Sequence, residues 1–474
     1  MNFEVIIGIE IHCELKTKTK MFSGAPISFG KEANTCTNEI DLGMPGTLPA
    51  VNKEAVTKAI MACEALHCKI EPLVRFDRKN YYYSDLPKGF QITQQFHPIG
   101  EHGYVQIEVD GKQKEIRINR IHMEEDTAKQ FHHEDGTYID FNRAGTPLIE
   151  IVSEADIRSG KEAVAYVEEI RNILYYLNIS DVKMEEGSLR CDINISLRPY
   201  GSDVFGAKCE IKNLNSISNA QRAIEYEIKR QEKCLLGGES IAQATLRYDD
   251  ITRTTKQMRL KEGAVDYKYF PEPNIFPIQL HNDFIENAKK AMGELPSERK
   301  KTYMETYGLS KKDTNQLVMH KELSDFFNLV VSHTREYKLA ANWTLVEVGG
   351  FLNKEGLNIQ DCKLIPEELA KLIEHITEKT ISSKQAKEVF RALVLGKKTD
   401  VLIKEQGMQQ ISDETQLRVL VRTAIENNPQ SVEDYKNGKN RAVGFLVGQV
   451  MKLSKGQANP ALSNTIVVEE LQKK

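Results

Sequence analysis

Hydrophobic and polar residues alternate near the start of the chain, in the segment VIIGIEIHCEL. Side chains in a β-strand point alternately to its two faces, so Ile9 and Ile11 share one face while Glu10, His12 and Glu14 share the other. The pattern predicts a half-buried strand with two carboxylates and one imidazole in a row. Such a row is either a hydrated surface or part of a cation site, because hard divalent ions take oxygen ligands and histidine can join them.

Further strand-like segments also carry acids: SLRCDINISLR, KCEIKNL, PLIEIV and RIHMEED. An acid inside an apolar run is costly unless it is paired or bound to a metal. These acids therefore either pair with basic residues such as Arg143, Arg190 and Lys208, or converge on a magnesium-type site if their strands share one sheet. The acids concerned are Glu124, Glu125, Asp126, Glu150, Asp192 and Glu210.

The periodicity changes at about residue 290, from strand-like alternation to helical spacing. Pro366 in PEELAKLIEHITEK is typical of a first helical turn, and Ser382 with Gln385 indicates a capping box at the start of SSKQAKEVFRALVLG. A last pair of helices is predicted near 431–454 and 460–472.

This pattern predicts an α+β fold, with a β-rich body followed by an all-helical domain and a small helical tail. A chain of 474 residues is too long for one hydrophobic core. The segment LGKKTDVLIKEQGM interrupts the helical spacing with two glycines, so we expect a hinge there. The predicted domains are 1–294, 295–405 and 406–474.

Composition is that of an ordinary globular protein, with 40% hydrophobic and 28% charged residues. No apolar run long enough for a membrane span and no basic leader are visible, so we expect a cytoplasmic protein without membrane contact. Eight cysteines without a C-x-x-C pair predict reduced thiols. The net charge of −4 excludes no nucleic-acid partner, since such binding depends on local basic patches.

Two segments combine basic residues with features of nucleic-acid binding. KNYYYSDLPKGFQITQQ offers tyrosines that can stack on bases beside groups that contact phosphates, although tyrosines also simply pack in strands. NGKNRAVGFLVGQVMKLSKGQANP is basic and has no acid, which suits a nucleic-acid backbone but also a solvated helix face. The residues concerned are Lys79, Tyr81, Tyr83 and Ser84 in the first segment and Lys439, Arg441, Lys452 and Lys455 in the second.

Common nucleotide and hydrolase motifs do not occur in the sequence. It has no G-x-x-x-x-G-K-[ST] phosphate loop, no dinucleotide G-x-G-x-x-G after a strand and no G-x-S-x-G nucleophile elbow. Any ATP site in this chain must therefore be built from a different set of binding residues.

Nearly the whole chain resembles one family, the B subunits of heterotrimeric glutamyl/aspartyl-tRNA amidotransferases (the GatB family). The resemblance rests on segments in the same order, including GIEIHCELKTKTKMFSG, DLGMPGTLPAVN, RFDRKNYYYSDLPKGFQITQ, DFNRAGTPLIEIV, GSLRCDINISLR, EIKNLNSISNAQRAIEYEIKRQ, DYKYFPEPN and GFLVGQVMKLSKGQANP.

The resemblance implies an ATP-dependent ligase with a cradle-shaped catalytic domain. Such a subunit phosphorylates the side-chain carboxylate of glutamate on tRNA(Gln) or aspartate on tRNA(Asn), and ammonia then replaces the phosphate. It also implies magnesium as a cofactor, an amidase A subunit that releases ammonia from glutamine, and a small C subunit that completes the heterotrimer.

The resemblance further implies roles for particular residues. Glu10, His12, Glu125 and Glu150 are expected to be catalytic, and they are expected to hold magnesium together with Asp192 and Glu210. Arg190 and Lys208 are expected at the ATP phosphates, and Lys79, Tyr81, Tyr83 and Ser84 at the aminoacylated tRNA end. Lys439, Arg441, Lys452 and Lys455 are expected to bind the tRNA body from a mobile tail.

One departure concerns zinc, which many relatives hold with a cysteine cluster just before the equivalent of GMPGTLP. Here Cys36 stands alone with Thr37, Asn38 and Asp41, so magnesium is the metal we expect. Two other functions remain open: an unrelated magnesium-dependent phosphotransferase or nuclease, and a noncatalytic tRNA-binding scaffold.

Overall fold

The computed structural model describes residues 2–27, 30–260, 267–405, 413–436, 439, 441–454 and 457–473. The chain forms two compact units, Met1–Pro296 and Ser297–Lys474. The first unit contains the strands and the second is helical, which confirms the predicted α+β class. The predicted further division at 405/406 stays a prediction.

The first unit contains sixteen strands and four helices among the described residues. The strands are β1 (Phe3–Glu14), β2 (Lys69–Ile70), β3 (Leu73–Val74), β4 (Asp77–Asn80), β5 (Phe90–Thr93), β6 (Gly100–Val109), β7 (Lys112–Glu125), β8 (Lys129–His133), β9 (Gly136–Asp140), β10 (Pro147–Ser153), β11 (Leu189–Pro199), β12 (Cys209–Lys212), β13 (Ala244–Asp249), β14 (Thr254–Leu260), β15 (Phe270–Pro271) and β16 (Ile278–Gln279). The helices are α1 (Lys53–Ala65), α2 (Gly160–Tyr176), α3 (Ile217–Leu236) and α4 (Asn282–Lys290).

A mixed sheet organises this unit, with the strand order β14-β13-β12-β11-β1-β10-β7-β6-β2. Neighbouring strands are antiparallel except for β12 and β13, which are parallel. The first strand of the chain therefore lies at the centre of the sheet, between β10 and β11. The predicted acid-bearing strands do share one sheet.

Alternation along the central strands separates the two faces of this sheet. Ile9, Ile11 and Cys13 are almost completely buried and belong to a hydrophobic core with residues of α1, α2 and α3. Burying each such side chain stabilises the fold by about 1.5–3 kcal/mol. Glu10 and His12 are half-buried on the opposite face, as the sequence pattern predicts.

The second unit consists of short helices and a few π- and 3₁₀-helical turns. The helices are α5 (Pro296–Lys301), α6 (Lys311–Val318), α7 (Lys321–Val331), α8 (Tyr337–Asn342), α9 (Gly349–Glu355), α10 (Pro366–Thr377), α11 (Ser383–Leu393), α12 (Thr399–Glu405), α13 (Glu414–Glu426), α14 (Pro429–Lys436), α15 (Arg441–Leu453) and α16 (Pro460–Gln472). The π-helical turns are Thr302–Thr306 and Trp343–Val348, and the 3₁₀ turn is Ile359–Asp361.

Local signals for helix ends are confirmed at two positions. Pro366 opens α10, and both hydrogen bonds of the capping box form at the start of α11. Ser382 Oγ accepts from the backbone N–H of Gln385 at 3.3 Å, and Gln385 Oε1 accepts from the backbone N–H of Ser382 at 2.8 Å. These bonds satisfy amide groups that an uncapped helix would leave unpaired.

One helical prediction is wrong in detail, whereas the predicted hinge stays a prediction. The segment 431–454 holds two helices, α14 and α15, because the intervening NGKN has low helix propensity. The predicted hinge segment contains α12, whose first residue is bound by an acid from α10: the backbone N–H of Thr399 donates to Glu368 Oε2 at 2.7 Å. This distant contact is not visible in local sequence. Residues 406–412 lie outside the described residues.

All eight cysteines lie among the described residues and are free thiols, six of them buried. Burial raises the pKa of Cys13, Cys68 and Cys191 to about 12, so these thiols stay protonated. Cys234 and Cys362 are half-buried. No helix among the described residues combines the length and apolar character needed to span a lipid bilayer.

Candidate active site and metal centre

The polar face of the central strands lines a cavity of about 1570 Å³ in the first unit. Strands β1, β10 and β11 contribute side chains at alternating positions, so the cavity wall carries acids, imidazoles and an arginine. This face is the one left uncovered by α1–α3 in the core described above. The lining includes Glu10, His12, Glu14, Lys79, His122, Glu124, Glu150, Arg190, Asp192, Glu210, Lys212, Tyr267 and Tyr269.

Three residues of the wall form a first cluster that could hold a metal ion: His12, Glu124 and Glu150, whose ligand atoms lie within 4.8 Å of one another. His12 Nε2 is 3.4 Å from Glu150 Oε2 and 3.9 Å from Glu124 Oε1. His122 also contacts this cluster, with its Nε2 3.0 Å from Glu150 Oε2. We call these four residues the histidine cluster.

The imidazoles and carboxylates of the histidine cluster shift one another's pKa values. Burial alone would lower the pKa of His122, but the charges and hydrogen bonds of Glu150 and Glu124 together outweigh burial and raise that pKa to about 9. In the same way burial opposes ionisation of Glu150, yet His122 and His12 together hold the pKa of Glu150 well below its usual range. Protonated His122 thus neutralises part of the negative charge of Glu124 and Glu150, and a bound divalent cation would do the same.

A second cluster contains only carboxylates: Glu10, Asp192 and Glu210, again with ligand atoms within 4.8 Å of one another. We call it the carboxylate cluster. Asn194 donates from Nδ2 to Glu10 Oε1 at 2.8 Å, while its buried Oδ1 finds no hydrogen-bond partner among the described residues. Lys212 Nζ lies 2.6 Å from Asp192 Oδ2 and 3.1 Å from Glu210 Oε1.

Strand register explains why residues so far apart in sequence meet. Glu10 is paired with Asp192 across β1 and β11, and His12 is paired with Glu150 across β1 and β10. Directly opposed residues of antiparallel strands hold their side chains close together on one face. The predicted residues Glu10, His12, Glu150, Asp192 and Glu210 are therefore brought together, in two clusters.

Glu125 is the predicted metal ligand that the structure places elsewhere. Side chains alternate along β7, so His122 and Glu124 face the cavity while Glu125 faces away, where it pairs with Lys88 and accepts from the backbone N–H of Ile92 at 3.0 Å. Glu124 takes its place in the histidine cluster. Both His122 and Glu124 could have been found, because they keep the period of two in RIHMEED.

The two residues expected at the ATP phosphates differ in position. Arg190 lines the main cavity and donates from Nη2 to Asp126 Oδ2 at 2.8 Å, leaving its Nε without a hydrogen-bond partner among the described residues. Lys208 is exposed and lines a smaller neighbouring cavity of about 340 Å³ beside Glu10. Of the two lysines on or next to β12, Lys208 and Lys212, it is Lys212 that lines the main cavity.

Aromatic residues surround Lys79 at the edge of the main cavity. Its Nζ lies 5.0 Å from the ring centre of Tyr267 and 5.6 Å from that of Tyr81, within the range of cation–π attraction. Burial raises the pKa of Tyr81, whose ring also packs edge-to-face against that of Tyr267. Tyr267 and Tyr269 were missed, although DYKYF carries tyrosines with a period of two.

The remaining residues of the tyrosine segment are more exposed. The ring of Tyr83 is 62% exposed, and Ser84 accepts a hydrogen bond from Gln130 Nε2 at 2.9 Å. The structure therefore brings Lys79 and Tyr81 to the cavity edge and leaves Tyr83 and Ser84 on the surface.

The side-chain carboxylate of Glu14 completes the polar row of β1. No described residue donates to its carboxylate, and burial together with the charge of Asp126 raises its pKa to about 7. Arg190 and Arg143 act in the opposite direction, since both lower that pKa. Asp126 binds both arginines, at 2.8 and 3.6 Å.

The predicted basic residues of the tail lie on and beside α15. Arg441 and Lys452 are exposed and lie about three turns apart on one face, with the half-exposed ring of Phe445 between them. Lys439 is exposed and pairs with Asp434 at 3.0 Å. Lys455 lies outside the described residues.

Comparison with known proteins identifies relatives over the full length of the chain. The family described as GatB/GatE catalytic domain matches residues 5–286, and the GatB domain family matches residues 325–471. Two relatives are named as the B subunit of aspartyl/glutamyl-tRNA(Asn/Gln) amidotransferase. The protein of Geobacillus thermodenitrificans is 54% identical and that of Staphylococcus aureus 52% identical, each over 100% of both chains.

Proposed function

Because the chain belongs to the GatB family, we propose that it is the tRNA-dependent amidotransferase subunit that activates and amidates the amino acid on misacylated tRNA. The substrates are glutamyl-tRNA(Gln), aspartyl-tRNA(Asn) or both. The observation that carries the proposal is the cavity in the matched catalytic domain, where two groups of possible metal ligands face one space.

The proposed reaction solves a problem of leaving groups. A carboxylate resists attack by ammonia because oxide is a very poor leaving group. Transfer of the γ-phosphoryl group of ATP to the side-chain carboxylate gives an acyl phosphate and ADP. Ammonia then attacks the acyl carbon, phosphate leaves with the electron pair of the broken C–O bond, and the amide results.

The donor chemistry of both clusters fits magnesium. Hard divalent cations prefer oxygen ligands, which the carboxylate cluster supplies through Glu10, Asp192 and Glu210, with the buried Asn194 Oδ1 beside them. The histidine cluster would hold a second ion through His12, Glu124 and Glu150. Magnesium held there supplies charge neutralisation during phosphoryl transfer.

The other cavity residues have complementary tasks in this proposal. Arg190, whose Nε has no partner among the described residues, offers a donor to a phosphate oxygen. Lys79 with Tyr81 and Tyr267 forms a cationic aromatic edge suited to the terminal adenosine of tRNA, through stacking and phosphate contact. The low exposure of the clusters limits water, which would otherwise hydrolyse the acyl phosphate.

Partners complete the proposed enzyme. Ammonia would come from an amidase A subunit that hydrolyses glutamine, and a small C subunit would join the two, as the heterotrimeric family implies. The basic face of α15 would contact the sugar-phosphate backbone of the tRNA body, with Arg441 and Lys452 as the cations. A cytoplasmic location belongs to the same proposal, because aminoacylated tRNA is consumed in translation there.

The first test measures conversion of labelled glutamyl-tRNA to glutaminyl-tRNA by the complex co-purified with its amidase partner, with ATP, magnesium and glutamine. We expect conversion by the wild type and a loss of about a hundredfold or more in His12→Ala, because the substitution removes a group from the reacting centre. His281→Ala is the matched control, since His281 is exposed and outside the cavity.

The same assay separates the alternative functions. ATP hydrolysis that depends on misacylated tRNA distinguishes the proposal from an unrelated phosphotransferase or nuclease. Full conversion in His12→Ala would favour a scaffold that only binds tRNA. If the wild-type complex converts neither glutamyl-tRNA nor aspartyl-tRNA, the proposed reaction is wrong.

A further inference from the structure

Lys212 occupies the position of a cation in the carboxylate cluster. Its ammonium nitrogen contacts two of the three carboxylates, Asp192 at 2.6 Å and Glu210 at 3.1 Å. A metal ion bound by the same oxygens would lie within a few ångströms of this ammonium group, and two like charges at that separation repel strongly. Lys212 and a divalent cation therefore compete for Asp192 and Glu210.

The surroundings of Lys212 allow it to move. Its side chain is 35% exposed and lines the main cavity, so the ammonium group can swing on its four-carbon stem without leaving water. The pair Lys20–Asp41 shows the contrast: both side chains are fully buried and Lys20 is also bound to the backbone of Phe141, so that lysine has no second position.

Nucleotide phosphates would offer Lys212 a new partner within the same cavity. Lysine is a common phosphate ligand because its ammonium is a compact charge with three donors. Arg190 already provides one cation on this wall, and Lys212 is the lysine of the carboxylate cluster that faces the same space. Lys208, for which the family resemblance implied this role, lines the smaller cavity.

We propose, on the basis of the proposed function, that Lys212 is a placeholder cation: it neutralises the carboxylate cluster before metal binds, is displaced by the metal, and then binds a phosphate of ATP. Metal and nucleotide binding are thereby coupled. The metal releases the lysine that the nucleotide needs, and the nucleotide in turn gives the displaced lysine a partner, so each favours the other.

The test measures Mn²⁺ binding to the full-length chain without nucleotide, from the electron paramagnetic resonance signal of the free ion. Lys212→Met removes the competitor, so one class of Mn²⁺ sites becomes tighter by roughly tenfold. Combining it with Asp192→Asn removes this gain, because the site itself is then damaged. Lys212→Gln, which keeps a polar side chain, is expected to behave as Lys212→Met does.

The second measurement is the KM for ATP of the assembled complex. Loss of the phosphate contact raises KM in Lys212→Met by roughly tenfold, a direction opposite to the change in Mn²⁺ affinity. If Lys212 merely held the strands together, its replacement by Met would weaken both Mn²⁺ binding and ATP binding. Lys161→Met is the control: Lys161 also pairs with an acid, Asp110 at 3.0 Å, but lies outside the cavity, so neither quantity should change.

Two results would overturn this inference in distinguishable ways. Mn²⁺ binding that depends on Asp192 but is unchanged or weaker in Lys212→Met contradicts the placeholder role alone. Mn²⁺ binding that is insensitive to Asp192→Asn contradicts the metal site of the proposed function, and the placeholder role falls with it.

Discussion

At the scale of single residues, Glu124 and Glu125 show how one position along a strand decides a role. Both are buried acids at the end of β7, but Glu124 faces His12 and Glu150 whereas Glu125 faces Lys88. Each is therefore neutralised by a different partner on a different face of the sheet. Only the residue on the cavity face can contribute an oxygen to a metal ion there.

A matched pair of substitutions tests this assignment. We expect Glu124→Gln to weaken Mn²⁺ binding by about tenfold or more, because a neutral amide replaces a charged ligand. Glu125→Gln removes the same charge one residue away, and it should leave Mn²⁺ affinity within about twofold of the wild type, because the carboxylate faces away from the cavity. Calorimetric titration of the full-length chain measures both.

One outcome would contradict the assignment of Glu124 as the metal ligand. Equal losses in the two variants would mean that the end of β7 rearranges when metal binds, so that Glu125 reaches the cavity. In that case the metal role predicted for Glu125 from the sequence would stand.

Residue-level prediction from sequence succeeded where one strand contains the whole signal. The alternation in GIEIHCEL and SLRCDINISLR predicts the cavity faces of β1 and β11 without knowledge of their neighbours. Alternation in KCEIKNL places Lys212 on one face with Glu210, but neither Lys212 nor Tyr267 was predicted as a site residue, because their importance comes from what they contact: two carboxylates for the first, and Lys79 for the second. Such contacts depend on the register between strands, which local sequence does not encode.

At the scale of secondary-structure elements, local chemistry predicted the ends of helices better than their continuity. The capping box at Ser382 and the proline at the start of α10 act within one turn, and both are confirmed. The break between α14 and α15 follows from the low helix propensity of NGKN, whereas α12 is held by a contact with another helix, through Thr399 and Glu368 of α10. The order of strands in the sheet is likewise set by connections tens of residues long.

The last helices are held together by a charged contact that can be tested by pH. Glu470 of α16 accepts from Arg418 at 3.0 Å and Arg422 at 2.9 Å, both from α13, and from Lys473. Its hydrogen bonds with Arg422 and Lys473 lower its pKa from 4.5 to about 2. The ionised form is therefore favoured by folding, and this stabilisation is present above pH 4.5 and lost as the pH falls toward 2.

We expect Glu470→Gln to lower the local free energy of unfolding of α13 and α16 by about 1 kcal/mol at pH 7, a value reduced by solvent screening. The difference in this local free energy of unfolding between Glu470→Gln and the wild type should be less than half as large at pH 3 as at pH 7. Hydrogen exchange read by mass spectrometry, comparing the two proteins at each pH, measures it. Glu426→Gln is the control, because Glu426 is exposed and forms no ion pair with a described residue. A difference independent of pH would contradict the electrostatic origin.

At the scale of the whole molecule, the proposed function places the chemistry and the contact with the tRNA body in different compact units. Every residue that lines the main cavity belongs to Met1–Pro296, whereas Arg441 and Lys452 belong to Ser297–Lys474. The second unit has its own hydrophobic core around α13, α15 and α16, which includes Leu417, Leu446 and Ile466. The α+β class was predictable because the change of periodicity near residue 290 spans long segments.

This separation predicts what residues 1–296 can do when expressed alone. They should bind Mn²⁺ with the affinity of the full-length chain, because both clusters are complete within them. Their affinity for tRNA should fall by roughly tenfold or more, with a weaker dependence on salt, because fewer phosphates are neutralised. Filter binding at several salt concentrations measures the second effect. Unchanged tRNA affinity would contradict a role for α15.

The burial of the thiols has a practical consequence for following the enzyme at work. Six thiols are shielded by the cores, whereas Cys234 in the first unit and Cys362 in the second are partly accessible. Each compact unit therefore already contains one attachment point for a dye, without any substitution. A donor and an acceptor fluorophore on these two positions would report, molecule by molecule, whether the units approach or separate when ATP, glutamine and tRNA are added.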